Sequence, residues 1–199
     1  EEKKDPLPVP YQFRDVLKIP TYSYTAQGGQ TQKAEWDTTH PDVIDFAKTS
    51  KEGGKWGGYR YWMVLTPNQD GYSQYENPCL AASNDGVNWV VPNGIENPLS
   101  GVKHEPAGTH NCDTDELWVY YVWEQDSPAG TPSNLRLIRV KEKNDGFEIT
   151  STTDGKPYER LINSQYRYDM QSPAVVRRNA NTWLMWSNNS DSDNSGNGW

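Results

Sequence analysis

Tyr59-Arg60-Tyr61-Trp62-Met63-Val64-Leu65 and Leu117-Trp118-Val119-Tyr120-Tyr121-Val122-Trp123 decide the fold class. Each run is short and rich in aromatic and β-branched residues, which suits a buried strand better than a helix. Upstream of each stands a proline: Pro41 in His40-Pro41-Asp42-Val43-Ile44-Asp45-Phe46, and Pro106 in His104-Glu105-Pro106. Downstream of each comes a third run that ends at a glycine turn. In the first unit it is Cys79 to Ser83 followed by Asn84-Asp85-Gly86; in the second it is Leu135 to Val140 followed by Asn144-Asp145-Gly146. A third unit opens at Gln171-Ser172-Pro173-Ala174-Val175-Val176 and reaches Thr182-Trp183-Leu184-Met185-Trp186.

The offsets between units agree. His40 and His104 stand 64 residues apart, the two Asp-Gly pairs 60, and Pro106 and Pro173 67. Proline fits the first residue of a strand, where its missing N–H breaks no ladder bond. Asn-Asp-Gly supplies the positive φ that a tight turn needs. Repeated antiparallel sheets of this kind are the blades of a β-propeller. The fold expected is therefore all-β, a five-bladed type of propeller with about two and a half blades present. The blades are placed at about 40–100, 101–165 and 166–199, and residues 1–39 are an extended lead-in. Within it, Tyr11 to Tyr24 offers a strand to close the ring. Two units and part of a third leave an open edge and a bare apolar face, so the expectation is a fragment of a chain of roughly 300 or more residues. The alternative is that partner chains complete the ring.

Composition narrows the function. Twelve Tyr and nine Trp stand against three Phe in 199 residues, a pattern serving a β-rich core and a sugar-contacting surface equally well. A net charge of −8 argues against gripping nucleic acid or an anionic membrane surface. No apolar run reaches the length of a membrane span. The sequence opens on Glu1 with neither Met nor a signal-peptide pattern, which suggests a processed or trimmed start. Cys79 and Cys112 either pair or stay free, and two small buried side chains are the plainer reading. No Gly-x-Ser-x-Gly, His-Glu-x-x-His, phosphate loop or Cys-x-x-Cys is present, so serine-nucleophile, zinc and nucleotide chemistries lose ground.

The order of X-Pro strand, aromatic strand and Ser83-Asn84-Asp85-Gly86-Val87-Asn88-Trp89 resembles the five-bladed propeller superfamily that includes glycoside hydrolase families 43, 32 and 117. His40-Pro41-Asp42-Val43, Gly58 to Met63, Tyr75-Glu76-Asn77-Pro78 and Ser83 to Gly86 are similar to a branch met in bacteriophage tail-associated and bacterial proteins. The likeness spans about residues 40 to 190. The Ser83 to Trp89 segment is one residue shorter than the Asp-box of sialidases.

The resemblance implies a carbohydrate partner, an extracellular or virion-associated setting, and three acids on the innermost strands. Glycoside hydrolysis needs two carboxyl groups of different pKa across the scissile bond. Aligned on the prolines, the three acid positions fall at His40, Glu105 and near Gln171, so the family's triad is not present. Asp42 and Glu105 form a displaced candidate pair for catalysis. His40, Trp56, Tyr72, Glu76, His104 and Gln171 are candidates for substrate binding.

Each has a plainer alternative. The histidines serve equally as bonds to a neighbouring blade, the acids as inter-blade salt bridges, and Glu76-Asn77 as turn chemistry. Asp42 lies two residues from His40 and so on the same strand face. Trp56 and Tyr72 sit in loops beside glycine, where an aromatic ring can stack on a sugar; Tyr61, Trp62, Trp118, Tyr120, Trp123, Trp183 and Trp186 read mostly as core. No metal or other cofactor is implied, calcium excepted. Asp191-Ser192-Asp193-Asn194-Ser195-Gly196 matches the opening of a calcium loop, although a solvated polar loop accounts for it as well. Three functions follow: carbohydrate recognition, plausibly of a host or surface glycan; active glycoside hydrolysis; or a structural virion or tail subunit joined to other subunits of a larger assembly.

Overall fold

A computed structural model describes residues 19, 22–25, 31–34, 38–49, 51–67, 77–99, 107–123, 134–150, 159–160, 169–179 and 182–190. Among them the chain is all-β: twelve strands, two short 3-10 turns and no α-helix. Strands β1 (Tyr22–Thr25) and β2 (Thr31–Ala34) form a hairpin. A first sheet has the order β3 (Thr38–Asp45), β4 (Tyr61–Pro67), β5 (Cys79–Ser83). Val90 adds a single antiparallel bridge to Ala82 at its outer edge. A second sheet runs β6 (Ala107–Asn111), β7 (Glu116–Trp123), β8 (Asn134–Lys143). Its outer row is split between β9 (Gly146–Ile149) and β10 (Glu159–Arg160), which pair with opposite halves of β8. The hairpin β11 (Asp169–Asn179) and β12 (Thr182–Ser190) follows.

The aromatic runs of β4 and β7 are continuous rather than alternating because both faces of the first two sheets are covered. In the first sheet, Trp62, Val64, Leu80 and Ala82 face the second, where they meet Leu117, Val119, Tyr121, Ile138 and Val140. The opposite face, Met63, Leu65, Cys79, Ala81 and Trp89, is buried with Ile19 packed on it. The second sheet turns Tyr120, Val122, Leu135 and Leu137 toward Val175 and Met185 of the hairpin. Trp118 stacks on Trp183 with centroids 5.2 Å apart, and Arg139 and Arg177 lie over the outer faces of those two rings.

The first two sheets approach closely at Gly108. A Cβ there would lie 2.5 Å from Val64 Cγ2, so a larger residue fits only if Val64 or the strand shifts. At the turn after β5, Asp85 accepts from the backbone N–H of Val87 and Asn88 and from the Asn88 side chain, while Gly86 takes φ +77°. Hydrogen bonds from the Asn88 side chain, then its backbone and that of Val87, hold the Asp85 carboxyl well below the usual carboxylate range.

The prolines sit differently from the expectation. Pro41 and Pro173 lie inside β3 and β11, not at their starts. Register shifts between Thr39 and Asp42, and between Gln171 and Ala174, bracket them. A bulge accommodates the missing N–H as well as a strand start does. Cys112 is exposed and neither cysteine is in a disulfide, which corrects the reading of two buried side chains. Trp186 is 58% exposed and is not core either. The strand proposed from Tyr11 to Tyr24 falls mostly outside the described residues; Tyr22 to Tyr24 pair with β2.

A clamp joins the first two sheets beyond the end of β3. Asp115, at φ 54°, accepts from Lys51 Nζ at 2.5 Å and lies 3.0 Å from His110 Nε2, and its backbone carbonyl accepts from Trp56 Nε1 at 3.2 Å. Burial pushes the His110 pKa below its ordinary value, against the pull of the Asp115 carboxylate. Burial raises the Asp115 carboxyl, but hydrogen bonds from Lys51 and His110 outweigh it and leave the pKa lowered. Both shifts act in the same direction. A histidine depressed in the folded state contributes stability that is complete above its unfolded value of about 6.5 and is lost as pH falls below it. A depressed aspartate loses its contribution at lower pH still. Melting temperature should therefore decline from about pH 6.5 downward, and His110→Gln should flatten that decline between pH 7 and 5. An unchanged slope in the variant would remove His110 as its source.

Candidate functional site

Strand β6 lies beside both β3 and β11. The Gly108 N–H, near the start of β6, donates to Asp42 Oδ2 in the second half of β3 at 2.9 Å, joining the two strands. At the far ends of these strands, Lys51 meets Asp115, and Arg177 pairs with Asp113 and contacts Cys112. One end of the assembly therefore gathers the starts of β3, β6 and β11. The antiparallel registers place the ends of β4 and β7 there too, through Thr38 opposite Pro67 and Ala107 opposite Tyr120.

Two candidates are described at that end. His40 is exposed in β3 with φ 51°, and its Nδ1 lies 3.5 Å from the Thr66 hydroxyl. Thr66 is buried and sits 3.1 Å, hydroxyl to hydroxyl, from Thr39. Asp42 is half-buried, with Oδ2 engaged by Gly108. The bulge separates His40 from Asp42, so the two-residue period that would place them on one face does not hold across it. Asp42 is opposite Val64, whose side chain faces the second sheet, so its carboxylate also joins two sheets.

Glu105, His104, Tyr72 and Glu76 lie outside the described residues, as does the Asp191 to Gly196 segment. Gln171 is placed in β11 opposite Asn188, its side chain undescribed. Trp56 requires correction. It is fully buried beyond the other end of β3, packed on Phe46, Trp62 and Phe147, and offers no ring face to a sugar. Its adjacent glycines suggest an exposed loop, but Gly57 serves the close packing of Phe147: a Cβ there would lie 2.1 Å from that ring.

Thr39 and Thr66 were not singled out from sequence, since threonines are ordinary in strands and only the register brings this pair beside His40. Among the described residues no three His, Cys, Asp or Glu side chains converge. A cleft of about 590 Å³ lies along the β8–β9 hairpin and is lined by Lys141, Lys143, Asp145, Gly94 and Glu148. It includes none of the candidates. Its walls are mainly the charged side chains of one hairpin.

No family model matches the chain. It is 32% identical over 203 aligned positions to the A type blood N-acetyl-α-D-galactosamine deacetylase of Flavonifractor plautii. The relative is a sugar deacetylase. The alignment covers 86% of this chain and 25% of that protein. The crystal structure of an N-acetylgalactosamine deacetylase from F. plautii, in complex with blood group B trisaccharide, superposes with a TM-score of 0.62 and 28% identity. That match covers 87% of this chain and 49% of the solved one. The chain thus spans a quarter of the curated relative and about half of the solved chain. The homologue is a carbohydrate-active protein, and the enzyme named is a deacetylase, not a glycoside hydrolase.

Proposed function

We propose that this chain is part of a carbohydrate-processing propeller whose site lies at the strand starts, and that its reaction is the deacetylation of an N-acetylated sugar. The carrying observation is the 32% identity to a sugar deacetylase across 86% of the chain. The three sheets, with inner strands side by side and apolar faces stacked in sequence, are read as successive blades. Two of the three aligned glycosidase acid positions read His40 and Gln171, with an acid only at Glu105, which supports the same choice. Deacetylation adds water to the acetyl carbonyl and breaks the C–N bond, releasing acetate and a free amine. It needs a base for the water and a proton donor for the amine, roles that His40, Asp42, His104 and Glu105 can fill.

The test is acetate release from an N-acetylgalactosamine-terminated trisaccharide by the native protein that carries this chain. Acetate and a sugar lighter by one acetyl group are expected, without reducing-end release. His40→Ala should lower the rate about 10²-fold or more. Asp42→Asn keeps an oxygen to accept from Gly108, so it should remain folded while losing activity. Full activity in that variant would confine Asp42 to joining the sheets. Reducing-end release would favour a glycoside hydrolase. Glycan binding with no product would favour recognition alone.

A further inference from the structure

Thr66 is fully buried in β4, and its hydroxyl meets three polar groups. It donates to the Thr39 carbonyl at 3.2 Å, and it lies 3.1 Å from the Thr39 hydroxyl and 3.5 Å from His40 Nδ1. A hydroxyl has one proton to give and two lone pairs to offer. A carbonyl only accepts, so the Thr66 proton belongs to the Thr39 oxygen. The lone pairs then face two groups that must donate, the Thr39 hydroxyl and His40 Nδ1. Backbone conformation agrees with this pairing. His40 takes φ 51° immediately before Pro41, inside the bulge between Thr39 and Asp42. A residue before proline favours extended backbone, and a left-handed residue other than glycine persists only where its surroundings hold it. Bulges re-aim side chains. This one brings the imidazole to a hydroxyl of the neighbouring strand.

We infer that Thr66 is a positioning residue for His40: it fixes the imidazole as the Nδ1–H tautomer and so places the basic lone pair on Nε2. In the proposed deacetylation, Nε2 takes one proton from water as the water oxygen bonds to the acetyl carbon. The C–N bond then breaks, its electron pair stays on the sugar nitrogen, and that nitrogen takes the proton from Nε2. The acetic acid formed loses its remaining proton to solvent. Throughout, Nδ1–H stays on Thr66, and the bond is strongest while the ring is charged. The 3.5 Å separation is long, as catalytic hydrogen bonds often are before substrate binds. The catalytic half of the inference rests on reading His40 as the acid–base group; the tautomer is measurable without turnover.

Proton–nitrogen correlation NMR of the native protein, isotope-labelled at histidine, tests it at about pH 8.5, above the ordinary imidazole range. The His40 signals are those missing from His40→Gln. Nδ1 should show the shift of a protonated nitrogen and Nε2 that of an unprotonated one. An Nε2–H tautomer in the unsubstituted protein would overturn the proposal, whatever the variants do. Thr66→Val should move His40 toward the Nε2–H form, which predominates for histidine in water. It should also lower kcat for acetate release about tenfold, with KM within about twofold. Thr66→Ser should restore both readouts. An unmoved tautomer in a folded Thr66→Val, or no restoration by serine, would sink the role of Thr66. A moved tautomer at unchanged kcat would remove Nε2 as the base. Complete absence of acetate release would defeat the deacetylase reading alone, with the tautomer still deciding for or against Thr66.

Discussion

Trp56→Ala is expected to destabilise the protein by about 3–5 kcal/mol, the cost of emptying a fully buried aromatic site. Four ring neighbours would lose their partner: Trp62 at a centroid distance of 4.8 Å, Phe147 at 5.0 Å, Phe46 at 6.1 Å and His110 at 6.3 Å. The indole N–H would also vacate the Asp115 carbonyl. The Trp56 carbonyl, which accepts from Trp62 Nε1 at 3.0 Å, belongs to the backbone and survives the substitution. Equilibrium denaturation of the native protein measures the loss. If Trp56 were instead a sugar platform, the variant would weaken glycan binding at unchanged stability, and that result would restore the loop reading.

Gly108→Ala carries the second large effect, about 1–3 kcal/mol of destabilisation from overpacking. The added methyl would meet Val64 Cγ2 at 2.5 Å, with Ile44 Cδ1 at 3.5 Å. Neither the first sheet nor β6 can yield without shifting the bond from the Gly108 N–H to Asp42. Val64→Ala in the same molecule removes the obstructing methyl groups. The double variant should therefore be less unstable than the sum of the two single changes, as expected for residues in contact. Strict additivity would show that the close approach is relieved elsewhere.

Much of the architecture was legible because both faces of these strands are buried. Trp62 to Leu65 and Leu117 to Val122 form runs with no polar break, and turn residues such as Asp85-Gly86 bound them. The position of the prolines was less legible, since a strand start and a bulge satisfy a missing N–H equally well. Trp56 misled for a related reason: glycine beside an aromatic ring marks a loop in sequence, and only packing reveals whether another ring occupies the space. Residues near the repeated prolines were singled out by their recurrence, while Thr66 became visible only through its register with Thr39. Asp115 carries no sequence mark of its own, because its role depends on Lys51 and His110 arriving from different sheets.

The way the sheets are joined bears on how the molecule would come apart under load. Within a sheet, neighbouring strands are laced by backbone ladders. Between the first two sheets, the described backbone contributes the Phe147 N–H to Asn93 carbonyl bond, and side chains such as Asp42, Asp115 and Trp56 supply other links. Pulled from its two ends, such a chain should yield in discrete steps, each extension releasing one whole sheet, because an inter-sheet seam tears before a ladder does.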